Sequence, residues 1–533
     1  MTKKLFLLLF TVLVVVILSI QSCATYQFRS TYKETNSLIH ETANLQTRPF
    51  LKAHLKNGDI CILSDTWNID TVQNQVSGSG QMFDFNRNSV FEGELSIPID
   101  SVAIFETNTK LVKPEAGRVT ALSIMAGVDA IIGVLCLINP KACFGSCPTF
   151  YMNEHDNFHY ADAEGFTNAI SPSMEYFDID ALNNKPLTGN TFSLTMKNEA
   201  LETHCVNEVK LLAYPRYEHE RVYQSPVNDF YLCENLYRVK KASAEEGDIT
   251  PLINHDDNIE RFSLSDPNNL NSKEEIYFDF GSIDNIDNLG LVLNFRQALM
   301  TTYLFYSAMG YMGDEVSDMF AMLETDPDMR EKFDATSKLM GGIDVFMWNE
   351  RFNDWQFQDS FYETGPIAIN KQFIPVGRLD SDAGVRIKLI LNKGLWRLDY
   401  IALTNIIRQV EPIEIKPDNI LSKGEPNPQA LKKISDPESY LISMPGDEYK
   451  FNFTLPQENA DYELFLYSKG YYLEWMREHW LKDKDLTKLA QMVYAPESFL
   501  KAEARDFKIY ESSMEQAFWN SRIDTKTFSY HEE

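Results

Sequence analysis

The stretch "GVRIKLILNKGLWRLDYIAL", residues 384–403, decides the fold class. It is strand-like: apolar and charged residues alternate from Val385 to Leu389, the period of two that a half-buried strand requires. Trp396, set between Leu395 and Leu398, reads as a core residue, because large aromatic rings more often anchor interiors than serve surfaces. Working outward, "CPTFY" (147–151), "FHYADAEGF" (158–166), "FSLTMKNE" (192–199), "VNEVKLLAY" (206–214), "WQFQDSFYE" (355–363), "IAINKQFIPVGRL" (367–379) and "YKFNFTLP" (449–456) read the same way, with turn residues between them. "AHLKNGDICIL" (53–63) turns at Asn57-Gly58, the strongest short hairpin signal. Two patterns differ. Residues 296–340 are rich in Ala, Met, Leu and Glu with apolar positions every three to four residues, and "YYLEWMREHWLKDKDLTKLAQMV" (471–493) turns helical towards the C-terminus.

The expected fold is therefore mainly β with helical insertions, in several antiparallel domains. The expected divisions are a leader (1–22), a tether or first helix (23–50), a small antiparallel β domain (51–112) and an apolar helical segment (113–142). A β-rich domain (143–290), a helical insertion (291–345), a β region (346–411) and a linker (412–430) come next, and strands then helices close the chain (431–533). No repeat of fixed period is present.

The chain has 533 residues, 44% of them hydrophobic, enough to bury several cores. Its formal net charge of −28 repels nucleic acid and anionic lipid alike, which excludes nucleic-acid binding, and it suits solubility or divalent cations.

The N-terminus supplies an address. Lys3 and Lys4 precede an almost unbroken apolar run from Leu5 to Ile20, and small Ser22 stands directly before Cys23. That order is what an export apparatus and a signal peptidase read, and the run is short against the roughly 20 apolar residues of a membrane span. Ile20-Gln21-Ser22-Cys23 resembles the lipobox of bacterial lipoproteins, although Gln21 departs from the usual small residue. The resemblance implies cleavage before Cys23 and acylation of its sulfur and new amino group, a stable membrane anchor. Cleavage would remove two lysines and no acid, leaving −30. Ala24 stands where an Asp would signal inner-membrane retention, so the resemblance implies the outer membrane. "ATYQFRSTYK" holds no acidic cluster before Glu34, which points to a periplasm-facing rather than a surface position.

A second resemblance covers residues 145–480. Cys147, Pro148 and Tyr151, then Asp162 and Glu164, then Glu202, Thr203, Glu208 and Val209 resemble the recurring motifs of an uncharacterised family of bacterial exported proteins. It implies a multi-domain β-rich architecture and no known chemistry. The opening stretch is also similar to the closing strands of jelly-roll domains related to galactose-binding modules, which marks residues 346–411 as the expected ligand or partner surface.

Candidate sites are few. Cys143 and Cys147 in "CFGSC" are expected to form a disulfide, with Cys205 and Cys233 a second candidate pair. Trp348, Trp355, Trp396, Trp475 and Trp480, with Tyr471 and Tyr472, are the aromatics a glycan-binding face would use, and of these Trp475 and Tyr472 are the pair expected to face a glycan. His155 and His159 have the spacing of metal ligands on a helix, but on a strand they stand about 13 Å apart and cannot share one ion. Asp380-Ser-Asp-Ala-Gly384 resembles the start of a calcium loop without the closing bidentate Glu, so calcium is the one cofactor kept in view. The apolar run 119–138 is long enough to cross a bilayer, but Asp129 in its middle favours a helix buried against or lying on the membrane. No catalytic motif appears. The expected role is a lipid-anchored outer-membrane protein that binds or scaffolds an envelope protein or glycan. A glycan-processing hydrolase and a calcium-stabilised assembly component are the alternatives.

Overall fold

The computed structural model describes residues 25–32, 35–42, 51–55, 59–64, 66–83, 89–112, 147–152, 161–182, 190–200, 202–283, 288–316, 319–320, 326–333, 335–362, 365–377, 384–457, 461–474 and 480–520. Cys23, Cys143, His155, His159, Asp380, Trp475 and the run 119–138 lie outside them. The fold is mainly β, in five largely antiparallel sheets.

The N-terminal unit is a seven-stranded sheet with its own small core of Leu38, Leu51, Ala53, Cys61, Leu63, Trp67, Val76, Ile97 and Phe105. The expected hairpin is there: Leu51–Leu55 pairs antiparallel with Ile60–Leu63. Within the segment read as a tether or a first helix, the described residues form a strand and then a helix. Thr25–Tyr32 forms a strand pairing with Val102–Val112 along its whole length, and a helix comes after it at Thr35–Thr42. Its polar residues gave no hydrophobic signal, and the strand is specified by its non-local partner.

The second unit has one continuous core running from Cys147 to Met514. The boundaries expected at 290, 345 and 411 do not separate bodies, because strands from either side of them share sheets. Glu202–Arg216 pairs with Asp461–Glu474, and Phe230–Arg238 pairs with Trp396–Val410. Among the described residues between Gln297 and Ile343, helices lie at Met300–Met312, Pro327–Phe333 and Ala335–Met340.

Two of this unit's sheets carry its most distinctive surfaces. In one, Phe230–Arg238, Glu220–Gln224, Asn370–Val376, Leu289–Gln297 and Trp396–Val410 pair in a ring, closed by a single parallel bridge between Gln224 and Gln372. Inside this small barrel pack Tyr223, Cys233, Val292 and Phe373. The other sheet contains Lys241–Ala244, Lys273–Gly281, Val385–Asn392, Ile343–Asn349 and Asp354–Phe361 in that order. One of its faces packs onto the outside of the barrel: Phe361 packs tilted against Phe295 with ring centres 5.4 Å apart. Trp396 is 1% exposed and lies in this seam, as its flanking leucines predict. Among the described residues no helix is long and apolar enough to cross a membrane.

Candidate functional site

Two strands of the second sheet alternate clearly. Along Lys273–Gly281, Glu274, Ile276, Phe278 and Phe280 point inward, while Glu275, Tyr277 and Asp279 point outward. Along Val385–Asn392, Val385, Ile387, Leu389 and Leu391 are buried and Arg386 and Lys388 face out. The outward face of the remaining strands carries Phe346, Trp348, Trp355 and Phe357. The result is an open sheet face tiled with aromatic rings. Trp348 and Trp355 are cross-strand partners with ring centres 5.3 Å apart, and Phe346 and Phe357 are 5.5 Å apart. Tyr277 leans across to Trp355, at 5.8 Å.

Two cations sit among the rings. The Lys388 ammonium lies 5.1 Å from the Phe346 ring and 5.5 Å from the Trp355 ring, and the Arg386 guanidinium lies 4.7 Å from Trp348. Each is tied at the rim, Lys388 to Glu275 at 3.3 Å and Arg386 to Glu350. Tyr277 also donates to Glu275, which holds that carboxyl below its usual range. Phe357 is 56% and Tyr277 40% exposed, while Phe346, Trp348 and Trp355 are half-buried, so the face reaches solvent chiefly through Phe357 and Tyr277. A run of adjoining outward rings with bases set among them exceeds the scattered exposed apolar residues that any surface carries. The face lies largely within the region 346–411 singled out from sequence; Trp348 and Trp355 are among the aromatics considered there, while Phe346, Phe357 and Tyr277, the last from an earlier strand, are not. The strand period in "WQFQDSFYE" was the signal that could have found it.

The residues singled out individually lie elsewhere. Tyr472 is buried, and its hydroxyl donates to the Thr167 carbonyl at 3.0 Å. Burial, with Glu202 nearby, pushes its phenol well above the ordinary range. It is a core residue with a satisfied hydroxyl, not a glycan platform. Cys147 is a buried free thiol that donates to Glu164 at 3.1 Å, and burial followed by that carboxylate pushes its ionisation well up. Cys143, its expected partner, lies outside the described residues. Cys205 and Cys233 are likewise thiols, on strands of different sheets.

The structure does bring several of the motif residues together. Glu164 also accepts from the backbone N–H groups of Ile367 and Ala368, at 2.7 and 3.0 Å. A Cβ on Gly365 would stand 2.3 Å from its carboxylate, so only glycine fits. Glu199 accepts from Thr149 at 2.9 Å and Tyr151 at 2.6 Å. Glu202 and Glu474 are directly opposed across paired strands. Glu202 bonds His204 at 2.7 Å and Glu474 accepts from Tyr306 at 3.1 Å. A carboxylate pair is what glycan hydrolysis uses, but these two are 0% and 1% exposed and are engaged inside the core. The cluster reads as a buried polar network that fixes strand register.

A third locus is the mouth of the barrel. Asp399 is the extra residue of a β-bulge, where Asn294 pairs with Tyr400 and Phe295 with Leu398. It is fully buried, and burial together with the neighbouring Asp256 pushes its carboxyl up to about 7. The loop 254–260 covers it. Lys371 binds Asp256 at 2.8 Å and the Asn294 amide donates to Asp256 at 2.9 Å. The far end of the loop is pinned by Arg296, whose buried guanidinium forks onto Glu260 and also bonds Glu515 on the C-terminal helix Pro496–Asn520.

Elsewhere, an open depression of about 840 Å³ between the helices is lined by Asp328, Glu331, Lys332, Lys338 and Glu497, whose charges offset one another. Among the described residues, no group of three or more His, Cys, Asp and Glu is assembled to hold a metal ion. No family model matches the chain, and no curated protein matches it.

Proposed function

We propose that this chain is a lipid-anchored binding protein of the bacterial outer membrane, facing the periplasm, and that its contact surface is the aromatic sheet face described above. The leader and Cys23 support the anchor. The outward rings of Tyr277, Phe346, Trp348, Trp355 and Phe357, steeply inclined to one another with Arg386 and Lys388 among them, carry the binding role. Pyranose rings present apolar faces that stack on such rings, and hydroxyls that the rim groups Glu275, Asp344 and Arg386 would bond. An envelope glycan is therefore the partner of best fit. Among the described residues of this face none supplies a general acid and a base across a cleft, so binding rather than hydrolysis is the reading.

The test is retention of the purified protein on isolated envelope glycans, compared with a Trp348→Ala/Trp355→Ala double variant. Stacking that covers about 100 Å² of ring at about 25 cal/mol per Å² is worth about 2.5 kcal/mol, or roughly 60-fold in affinity. The double variant should lose retention while keeping its melting temperature, because both rings lie on the open face. Equal retention by both proteins would remove the face from the binding reading.

A further inference from the structure

We propose that the mouth of the small barrel is a binding site for a hard divalent cation, calcium by chemistry, with Asp399 as its buried anionic ligand. The site is independent of the aromatic face and of where the chain is anchored.

The first observation is Asp399 itself. It is 0% exposed, and neither of its carboxyl oxygens closes a hydrogen bond of normal geometry. The Asn294 side chain and the Asp257 backbone N–H lie near enough to ease its ionisation, but burial outweighs them. Buried carboxylates in folded proteins are paired or coordinate metals, because the desolvation cost is otherwise uncompensated. No lysine or arginine side chain forms an ion pair with it among the described residues; Lys371, on the strand Asn370–Val376, is committed to Asp256. The second observation is what surrounds it. Asn294 pairs in register with Tyr400, the next residue along the bulge, and its side-chain oxygen is also buried without a partner. Its amide nitrogen is turned to Asp256, which leaves that oxygen free to face a cation. Asn254, whose backbone bridges to Tyr400, has a third such orphaned oxygen. Two residues on, the loop brings in Asp256, whose side chain is 44% exposed and gives the site an opening to solvent.

These atoms are carboxylate and amide oxygens, with no thiol or imidazole ligand among them. That donor set selects calcium over zinc or copper, and the mixed amide and carboxylate composition tolerates calcium's flexible geometry better than magnesium's strict octahedron. Two carboxylates with amide oxygens are not a cluster of three acidic or histidine ligands, so the site differs in kind from an all-carboxylate cage. The bulge is the device that builds it: one extra residue in Trp396–Val410 turns Asp399 out of the apolar alternation and under the loop. The Asp380–Gly384 loop, the calcium candidate from sequence, is a separate place in the chain.

The experiment is calorimetric titration of Ca²⁺ into the full chain stripped with chelator, paired with melting curves. A chain of net charge −28 gathers cations diffusely, so the comparison with variants decides. The expected result is one saturable equivalent, with Mg²⁺ weaker, and a rise in melting temperature on saturation. Asp399→Asn should abolish that equivalent. Asp256→Asn, which alters a half-exposed residue and leaves folding intact, should weaken it by about tenfold, since affinity follows ligand charge. Absence of a saturable equivalent, or the same equivalent in both variants, would overturn the proposal.

Discussion

Replacing Arg296 with methionine should destabilise the larger unit by about 3 kcal/mol, and most of that cost should come from the carboxylate it leaves behind. Arg296 is 1% exposed and makes contacts at every guanidinium nitrogen: Glu260 through Nε and Nη2, Glu515 through Nη2, and the carbonyls of Pro366 at 2.8 Å and Gln297 at 3.4 Å through Nη1. Glu260 is 5% exposed, so removal of the guanidinium strands a buried charge. Breaking such a pair costs about 3–5 kcal/mol. The low end applies because Arg397 stays within 3.5 Å of Glu260 and 3.0 Å of Glu515. If the stranded charge is the cause, adding Glu260→Gln to Arg296→Met should recover about 1–2 kcal/mol, although Glu260→Gln alone destabilises. Urea unfolding monitored by tryptophan fluorescence, with all four proteins of the cycle, reads this directly. A loss below about 1 kcal/mol for Arg296→Met, typical of an exposed pair, would refute the reasoning. So would a double variant less stable than the single one.

Packing and burial set two further outcomes. Gly290→Ala should cost about 1–3 kcal/mol by overpacking, because its Cβ would stand 1.7 Å from the Phe373 ring inside the barrel; a neutral result in the same urea assay would contradict that packing. Native protein at pH 8 should resist alkylation at Cys61, Cys147 and Cys233, and peptide mapping after labelling should find them modified only in urea. Burial raises Cys61 to about 11 and Cys233 to about 12, with Cys147 also well up, so all three stay neutral below those values. Rapid native labelling of Cys147 would show that its carboxylate contact is not maintained.

Strand identity was legible wherever one face is buried and the other wet. Val385–Asn392 keeps the period of two, whereas Trp396–Val410 is buried almost without a break from Leu398 to Thr404, and Trp396 lands in the seam that its leucine neighbours imply. Partnership was not legible. Glu202–Arg216 and Asp461–Glu474 form the most extensive pairing in the larger unit across a gap of more than two hundred residues, and no local pattern encodes such a distance. That is why the segment boundaries failed to mark separate bodies. Tyr472 misled because an aromatic in a strand looks the same whether its hydroxyl meets solvent or the Thr167 carbonyl. Asp399 had a signal that passed unread: a lone acid inside "LWRLDYIAL" has no place in a buried strand without a charge to meet or a bulge to turn it.

The strand at Thr25–Tyr32 bears on how the molecule would stand on a bilayer. It begins two residues beyond Cys23, and two residues span at most about 7 Å. A fatty-acylated Cys23 would then leave no slack leash between the lipid and the folded mass. The seven-stranded sheet would stand as a footing pressed to the headgroups, its orientation dictated by hydrogen bonds to Val102–Val112 rather than by diffusion of a floppy arm. Whatever the rest of the chain grasps would have to be found close to the leaflet.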